Sequence, residues 1–125
     1  MKYFLCAIMA LVLSCQQQDS DKVFSFASSG EFHPFSFMDK NGEMQGYDID
    51  VGRELAKRMN LNARPVKYKF PAIVEGVKNG RFDAAVASHT VTSEREKFVS
   101  FTIPYYYSGP QIFSRPDNVI NKTDA

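Results

Sequence analysis

The sequence predicts an α/β fold in which a mostly parallel sheet is flanked by helices. Three short, largely apolar or alternating stretches are typical of strands, and two stretches with helical periodicity separate them, which gives the order β-α-β-α-β. Crossovers of this kind are right-handed and make successive strands parallel. The strands are predicted at Val23–Ala27, Val66–Phe70 and Asp83–Ala87, and the last suits a central strand covered on both faces.

Two helices are predicted between these strands. The first takes Asp48 as its N-cap and runs to about Asn60, with acidic residues at its start and basic residues in its last turn, as the helix dipole prefers. The second covers about Ala72 to Asn79. The i, i+3, i+4, i+7 spacing gives the first helix a packing stripe formed by Gly52, Leu55, Ala56 and Met59.

A turn and a hairpin are predicted between the first strand and the first helix. Small residues at 28–30 end the strand at its carboxyl edge, where open α/β sheets bind ligands. An aromatic loop covers Glu31–Phe35, and an Asn-Gly turn within Asp39–Gly42 joins two short hairpin strands. Later in the chain, residues 109–114 are predicted as a further strand.

Composition indicates one small globular domain. The chain has 125 residues, of which 44% are hydrophobic, and its formal net charge is +1, so nothing favours nucleic acid as a partner. Two histidines without nearby acids are too few for a convincing metal site, and no cofactor motif is present. The two cysteines, Cys6 and Cys15, belong to the leader, so the folded part has neither disulfide nor thiolate.

The N-terminus has the features of an exported protein. A basic start and an apolar run too short to span a bilayer comfortably predict a signal peptide over residues 1–14. The residues before Cys15 resemble a bacterial lipobox, which implies that Cys15 becomes the lipidated N-terminus and anchors the protein to a membrane. An ordinary secretory leader or an uncleaved anchor are the alternatives. Residues 15–22 are predicted to be a flexible tether.

The segment after the third predicted strand is typical of an anion-binding site. Small and hydroxyl residues at 88–90 precede Thr92 and Ser93, either of which can cap a short helix. Arg95 then lies in the first turn, beside backbone N–H groups that are already positive, and a bound anion would resolve this conflict. The alternative is that Arg95 faces solvent or pairs with Glu94.

Five short motifs occur in order at residues 32–37, 41–50, 80–84, 90–95 and 101–106, reading FHPFSF, NGEMQGYDID, GRFDA, TVTSER and FTIPYY. Together they resemble the bacterial extracellular solute-binding proteins of family 3, the polar amino-acid type that serves ABC importers. Each motif alone is weak, but five in register over residues 23 to 115 are a specific signal. The resemblance implies a periplasmic-binding-protein-like lobe.

The resemblance also implies a binding site for a small-molecule amino acid. Arg95 would clamp the ligand α-carboxylate through a two-pronged ion pair, and Thr90 would add hydroxyl and N–H donors to the same group. Ser88 would offer its backbone carbonyl, and its hydroxyl oxygen as a further acceptor, to the α-ammonium. Phe32 and Phe70 would form walls against the ligand side chain, with plain core packing as the alternative for both.

Three further residues lie close to this site in the sequence. Ser29 and Glu31 are candidates for selecting the ligand side chain, since an acid facing the pocket would favour lysine or arginine. A solvated loop position is the alternative for Glu31. Strand alternation predicts that His89 points away from the site, as a packed or surface residue.

The family pattern gives a domain arrangement. Residues 23–115 correspond to the first lobe, and residues 116–125 to the start of a connection toward a second lobe. Members of the family continue into that lobe and trap ligand between the two by hinge closure. The expectation is therefore a truncated form with half a site, which binds weakly or not at all by itself.

The implied function is that of an extracytoplasmic substrate-binding component of an amino-acid ABC importer, without catalysis and without a cofactor. Its partner would be a membrane permease, and a lipidated Cys15 would hold it in the periplasm or at the cell surface. One alternative is an enzyme on the same scaffold, a cyclohexadienyl dehydratase or a lytic transglycosylase. The other is the ligand-binding domain of a sensor kinase.

Overall fold

The structure is a computed structural model that describes residues 22–115 and residue 117. The predicted signal peptide, Cys15, nearly all of the predicted tether and nearly all of the predicted connection lie outside these residues, so the predictions made for them stay predictions. Within the described part, no helix has the length and apolar character needed to cross a bilayer.

Six strands and four helical segments make up the described part. They are β1 (Val23–Ser28), β2 (Glu31–Phe32), β3 (Ser36–Met38), β4 (Met44–Gln45), α1 (Tyr47–Arg58), β5 (Asn62–Lys67), a 3₁₀ turn (Phe70–Ala72), α2 (Ile73–Lys78), β6 (Ala84–Ala85) and α3 (Ser93–Glu96).

A three-stranded parallel sheet in the order β5-β1-β6 forms the centre of the fold. This confirms the α/β class with a parallel sheet flanked by helices. The prediction that Asp83–Ala87 is the central strand is wrong: β1 lies in the middle, β6 is an outer strand in the described part, and Ala85 is exposed. The first crossover places β5 on one side of β1, and the second places β6 on the other side. The apolar composition of a strand does not by itself reveal its position in the sheet.

Both faces of β1 are covered by apolar side chains. On one face Phe26 packs with Met44, Ile49 and Val86 beneath α1. On the other face Ala27 packs with residues of α2 and of the following segment, namely Ile73, Phe82 and Ala87. The strand alternates its side chains between the two layers, so the chain forms a three-layer α/β arrangement around this single strand.

Helix α1 begins differently from the prediction. Its N-cap is Gly46 at φ 117°, and the N–H groups of Tyr47 and Asp48 donate to the carbonyls of Pro34 and Phe35, at 3.2 and 2.9 Å. A Cβ at Gly46 would collide with the Phe35 carbonyl. The prediction that Asp48 is the N-cap is therefore wrong, because the preceding loop satisfies the helix start and Asp48 lies within the first turn.

The packing stripe of α1 is only partly as predicted. Gly52 and Ala56 are buried, whereas Leu55 and Met59 are exposed. Ile49, one turn before Gly52, is fully buried and completes the contact face. The observed stripe therefore runs along the i, i+3, i+7 positions and is narrower than predicted.

Two other predicted strands differ from the structure. The second predicted strand extends to Phe70, but β5 ends at Lys67 and Phe70 opens the 3₁₀ turn. Pro65 lies in β5 at the sheet's outer edge in the described part, where its missing N–H is tolerated. Residues 109–114 form neither helix nor strand, since no neighbouring strand among the described residues pairs with them.

The hairpin before α1 is present. Strands β3 and β4 are antiparallel, and β2 pairs antiparallel with β3. The Asp39 carboxylate accepts hydrogen bonds from the N–H groups of Asn41 and Glu43, both at 2.8 Å, which fixes the connecting turn. This small sheet brings the aromatic loop of residues 31–35 to the carboxyl end of β1.

Candidate functional site

The candidate site forms around the turn that follows β6. Val86 and Ala87 are buried, and the chain then reverses at Ser88, whose φ of 49° lies in the left-handed region. Non-glycine residues adopt this region rarely, so neighbouring groups must hold it. The turn lies at the carboxyl end of a parallel strand, the edge at which α/β sheets bind ligands.

A polar network holds Ser88. The Ser88 hydroxyl contacts both carboxylate oxygens of Asp48, at 2.9 and 3.0 Å. The Ser88 N–H donates to the Tyr105 hydroxyl oxygen at 3.0 Å, and that hydroxyl donates to Asp48 Oδ1 at 2.8 Å. Three residues that are far apart in the sequence therefore close a ring of hydrogen bonds behind the turn.

Two members of this network, Asp48 and Tyr105, have raised pKa values. Burial raises the pKa of the Asp48 carboxyl, and the hydroxyl groups of Tyr105 and Ser88 oppose that shift by hydrogen-bonding the carboxylate. Burial also raises the pKa of Tyr105 to about 12; the Ser88 N–H opposes this shift, and the Asp48 carboxylate adds to it. Tyr105 therefore keeps its proton and remains a donor to Asp48 at neutral pH.

Aromatic packing holds the segment that carries Tyr105. The Tyr105 and Tyr106 rings each lie 6.0 Å from the Tyr47 ring, and Tyr106 packs edge-on against Phe35 at 5.0 Å. The Tyr47 hydroxyl donates to the Tyr105 carbonyl at 3.1 Å. Phe32 stacks on Phe35 at 5.0 Å, which continues the cluster to the predicted ligand wall.

Arg95 lies beside the turn, as expected for an anion receptor. Thr92 caps α3 by accepting a hydrogen bond from the Arg95 N–H at 3.3 Å. The Arg95 side chain is half-buried, and its Nη1 donates to the Thr90 carbonyl at 2.8 Å instead of pairing with Glu94. Its guanidinium carbon lies 5.9 Å from the centre of the Phe70 ring.

His89 lines both cavities, so the prediction that it points away from the site is wrong, but its ring is packed, as predicted. Its ring stacks on Phe70 with centroids 4.2 Å apart. Burial lowers the pKa of His89, and the nearby Arg95 guanidinium lowers it further. The alternation argument does not apply, because β6 ends at Ala85 and the positive φ of Ser88 breaks the strand geometry.

Two open cavities meet at His89 and divide the predicted ligand contacts between them. A cavity of about 380 Å³ contains Arg95 and Phe70. A second cavity of about 420 Å³ contains Phe32, Ser88 and Thr90. The remaining residues of the first are Pro71, Val74, Glu75, Lys78, His89, Glu94 and Phe98, and the second is completed by Phe35, His89, Val91 and residues 101–108.

Ser29 and Glu31 lie outside the lining of both cavities. Ser29 is buried, and its hydroxyl lies 3.0 Å from that of Ser36 within the hairpin. Glu31 is exposed and forms an ion pair with Lys67 at 3.1 Å. Both residues therefore have partners within the lobe, and the acids that line the Arg95 cavity are Glu75 and Glu94.

Sequence reasoning missed Asp48, Tyr105 and His89 as members of the site. The sequence contained one weak signal for Asp48, namely the glycine at position 46. A helix that begins after a glycine can have its first N–H groups satisfied by a preceding loop, and Asp48 is then free to bond to other groups. No local signal joined Asp48 to Tyr105, since 57 positions separate them. Among residues 22–115 and 117, no three His, Cys, Asp or Glu side chains are grouped so as to hold a metal ion.

A parallel α/β lobe with an arginine, hydroxyl groups and aromatic walls at one sheet edge is typical of proteins that bind small solutes. Residues 24–124 match the family model of the bacterial extracellular solute-binding proteins, family 3. Since this match covers most of the chain, the chain belongs to that family.

Several known proteins are similar to this chain. The ABC transporter arginine-binding protein 1 of Escherichia coli K12 is 28% identical over 117 residues, which cover 94% of this chain and 48% of that protein. The arginine-bound form of domain 1 from TmArgBP has a TM-score of 0.65 and 31% identity, and the match covers 67% of each chain. An ancestral cyclohexadienyl dehydratase has a TM-score of 0.64 and 33% identity, over 67% of this chain and 35% of that one.

The chain spans about half the length of the curated relatives it matches. The solved domain 1 from TmArgBP, by contrast, is matched over two thirds of its own length. This chain therefore corresponds to one lobe of its relatives.

Proposed function

We propose that this chain is the amino-acid-binding component of an ABC importer and that Arg95 binds the ligand α-carboxylate. The observation that supports this best is the position of the guanidinium, which is half-buried in the lining of the cavity of about 380 Å³ and is held there by the Thr90 carbonyl. That bond uses one of five N–H donors, so a fork of donors is left for a carboxylate.

The other predicted contacts fit the same ligand. Thr90 would add its hydroxyl and N–H to the carboxylate, and the Ser88 carbonyl would accept from the α-ammonium. Phe32 and Phe70 would cover the ligand side chain from the two cavities, and both rings are exposed. Exposed aromatic rings at a concave site favour a contact role over core packing.

Arginine is the first ligand to test. The E. coli relative is named as an arginine-binding protein, and the TmArgBP domain is described in its arginine-bound form. In this chain Glu75 and Glu94 line the Arg95 cavity, and their carboxylates would attract a cationic side chain. Ser29 and Glu31, engaged elsewhere in the lobe, are weaker candidates for selecting the ligand.

The setting we propose is extracytoplasmic. The family is described as extracellular, and the leader predicted from the sequence would export the chain. Cys15 would carry the lipid that holds it at a membrane, next to the permease that receives the ligand. Globomycin treatment, which blocks lipoprotein leader cleavage, should make a larger precursor accumulate, and Cys15→Ser should abolish the response.

Binding by one lobe alone is expected to be weak but measurable. The sequence by itself suggested weak or absent binding, because hinge closure would need a second lobe. The TmArgBP domain in its arginine-bound form favours the measurable outcome. A two-lobed relative would add contacts to the α-ammonium, so the lobe alone should bind less tightly.

Calorimetry with the full chain and L-arginine tests the proposal, preceded by a thermal-shift screen of the twenty amino acids. Arg95→Ala should weaken binding about 10- to 100-fold, because hydrogen bonds to a charged group contribute about 1.5–3 kcal/mol. Arg58→Ala is the matched control, since Arg58 pairs with Glu54 on the exposed face of α1. Unchanged binding in Arg95→Ala would exclude Arg95 as the carboxylate clamp.

An enzyme on this scaffold is the second candidate, favoured by the similarity to the ancestral cyclohexadienyl dehydratase. A dehydratase needs an acid in the cleft, and Glu75 and Glu94 are the acids that line the cavities. We expect no turnover of prephenate or arogenate by the purified chain. Measurable turnover that Glu94→Gln or Glu75→Gln abolishes would replace the transport proposal.

A further inference from the structure

We propose that Asp48 and Tyr105 are positioning residues for ligand binding, because together they hold Ser88 in the left-handed conformation that shapes the 88–90 turn. This inference rests on the proposed function, since the turn supplies two of the predicted ligand contacts. It assigns a role to Asp48 of α1 and a role to Tyr105, and neither residue needs to touch the ligand.

The conformation of Ser88 needs support from outside the turn. A serine at φ 49° is strained relative to the common backbone regions. Such residues persist when several neighbours determine their position together. At Ser88 these neighbours are two side chains, and between them they engage both its hydroxyl and its N–H.

Asp48 is built into the scaffold, which makes it a fixed reference for the turn. Its side chain is fully buried, and its own N–H donates to the Phe35 carbonyl at 2.9 Å. The next residue, Ile49, packs against Phe26 in the core. The backbone of Asp48 is therefore fixed to the loop and to the core, and its buried carboxylate is a well-placed partner for the groups that bond to it.

Tyr105 completes the arrangement from the opposite side. Its hydroxyl accepts from the Ser88 N–H and donates to Asp48, so one oxygen joins the turn to the helix. Its ring is held independently, by contact with Tyr47. Removing the hydroxyl while keeping the ring therefore removes the positioning bonds and leaves the aromatic packing in place.

The site depends on this geometry because the predicted contacts are backbone groups as well as side chains. The direction of the Ser88 carbonyl and of the Thr90 N–H follows from φ and ψ at Ser88 and His89. The Thr90 carbonyl also holds Arg95 at 2.8 Å. If the turn relaxed, the Ser88 carbonyl, the Thr90 N–H and the Arg95 guanidinium would all move.

A double-mutant cycle with Tyr105→Phe and Ser88→Gly tests the inference on the full chain, with L-arginine as the probe and binding measured by calorimetry. Tyr105→Phe should weaken binding about tenfold, the size of one well-formed hydrogen bond lost from the arrangement. Glycine adopts positive φ without strain, so in the Ser88→Gly background the same change should alter affinity less than twofold. Tyr68→Phe, which removes a hydroxyl that serves Arg81 outside both cavities, is the matched control and should leave affinity unchanged.

The cycle separates positioning from the other roles of Tyr105. An equal loss in both backgrounds would mean that the hydroxyl contacts ligand or acts through general stability, and it would overturn the inference. No loss in Tyr105→Phe would overturn it as well. A tenfold loss confined to the Ser88 background would support it.

A second measurement does not depend on the proposed function. Amide hydrogen exchange in the unliganded chain reports the Ser88 N–H, which the Tyr105 hydroxyl protects. Tyr105→Phe should speed that exchange at least tenfold while core amides of β1 stay protected. If no amino acid binds the wild-type chain, the proposed function fails, whereas the exchange result still supports or overturns the role of Tyr105 in holding the turn.

Discussion

Two adjacent residues of α1 stabilise two different regions of the molecule. Ile49 is fully buried against Phe26 in an entirely apolar cluster. Asp48 is equally buried, but it is surrounded by hydroxyl groups and holds the turn of the candidate site. One helix therefore contributes to the core through packing and to the site through hydrogen bonds.

The difference determines how each region should respond to change. Apolar packing depends on volume and is indifferent to pH, so the core should be sensitive to cavities and to added methyl groups. The site depends on individual polar atoms, on the strained backbone of Ser88 and on His89, whose pKa is lowered. It should respond to single-atom substitutions and to protons while the core remains intact.

The largest effect on stability is expected from a substitution that leaves a cavity in the core. Phe26→Ala removes the fully buried ring at the centre of β1 and should lower the free energy of unfolding by about 3–5 kcal/mol. Such a loss approaches the whole stability of a small domain. Urea denaturation followed by circular dichroism measures it, and Phe113→Ala, at a ring that is 94% exposed, is the control.

A change below about 1 kcal/mol in Phe26→Ala would contradict the assignment of β1 as the packing centre. It would also remove the difference between core and site, because the core would then tolerate a cavity as readily as a surface position does. Phe113→Ala should stay within about 0.5 kcal/mol of the wild type.

A smaller effect is expected from adding one methyl group. A Cβ at Gly52 would overlap the end of the Phe26 ring, and overpacking costs about 1–3 kcal/mol. Alanine recovers up to about 1 kcal/mol of helix propensity, so the net loss should be about 0–2 kcal/mol. Gly109→Ala is the control, because nothing lies within 4 Å of its added Cβ; a stabilised Gly52→Ala would show that the ring can move aside.

The smallest effect is expected from protonating His89. Its pKa in the folded chain lies below the ordinary 6.5, because burial and the Arg95 charge disfavour the cation. The unfolded chain therefore binds more protons as the pH falls below about 6.5, and stability should decrease through that window until the folded pKa is passed. Thermal melts across the window should show the decrease in the wild type and a smaller one in His89→Met.

The comparison with His89→Met isolates this effect from the carboxylates, which are common to both proteins. His33→Gln is the matched control for removing a histidine, since His33 is exposed on the aromatic loop. Identical pH profiles for the wild type and His89→Met would contradict the assigned environment of His89.

Much of the local structure followed from the sequence for clear reasons. Alternation at residues 23–27 predicted β1, and the Asn-Gly turn predicted the hairpin. The helical spacing over residues 72–79 predicted the second helix, which the structure has at Ile73–Lys78. Each of these features depends on neighbouring residues, so a short window of sequence contains the necessary information.

The candidate site was predictable only in part. A cap at Thr92 or Ser93 and the placement of Arg95 beside residues 88–90 were expected from hydroxyl residues before a short helix, and the structure has the cap at Thr92. The same local reasoning failed for Asp48 and for His89. Capping and alternation rules assume regular neighbours, and here a loop carbonyl replaced the cap and a positive φ interrupted the strand.

The sequence by itself determined the α/β class, the element order, the family and the arginine of the candidate site, because periodicity, turn residues and short motifs are local properties. Only the tertiary structure decided which strand is central and which groups hold the binding turn. Asp48 meets Ser88 across 40 positions and Tyr105 across 57. Such contacts exist only after two crossovers have packed around β1, and no local pattern of residues specifies them.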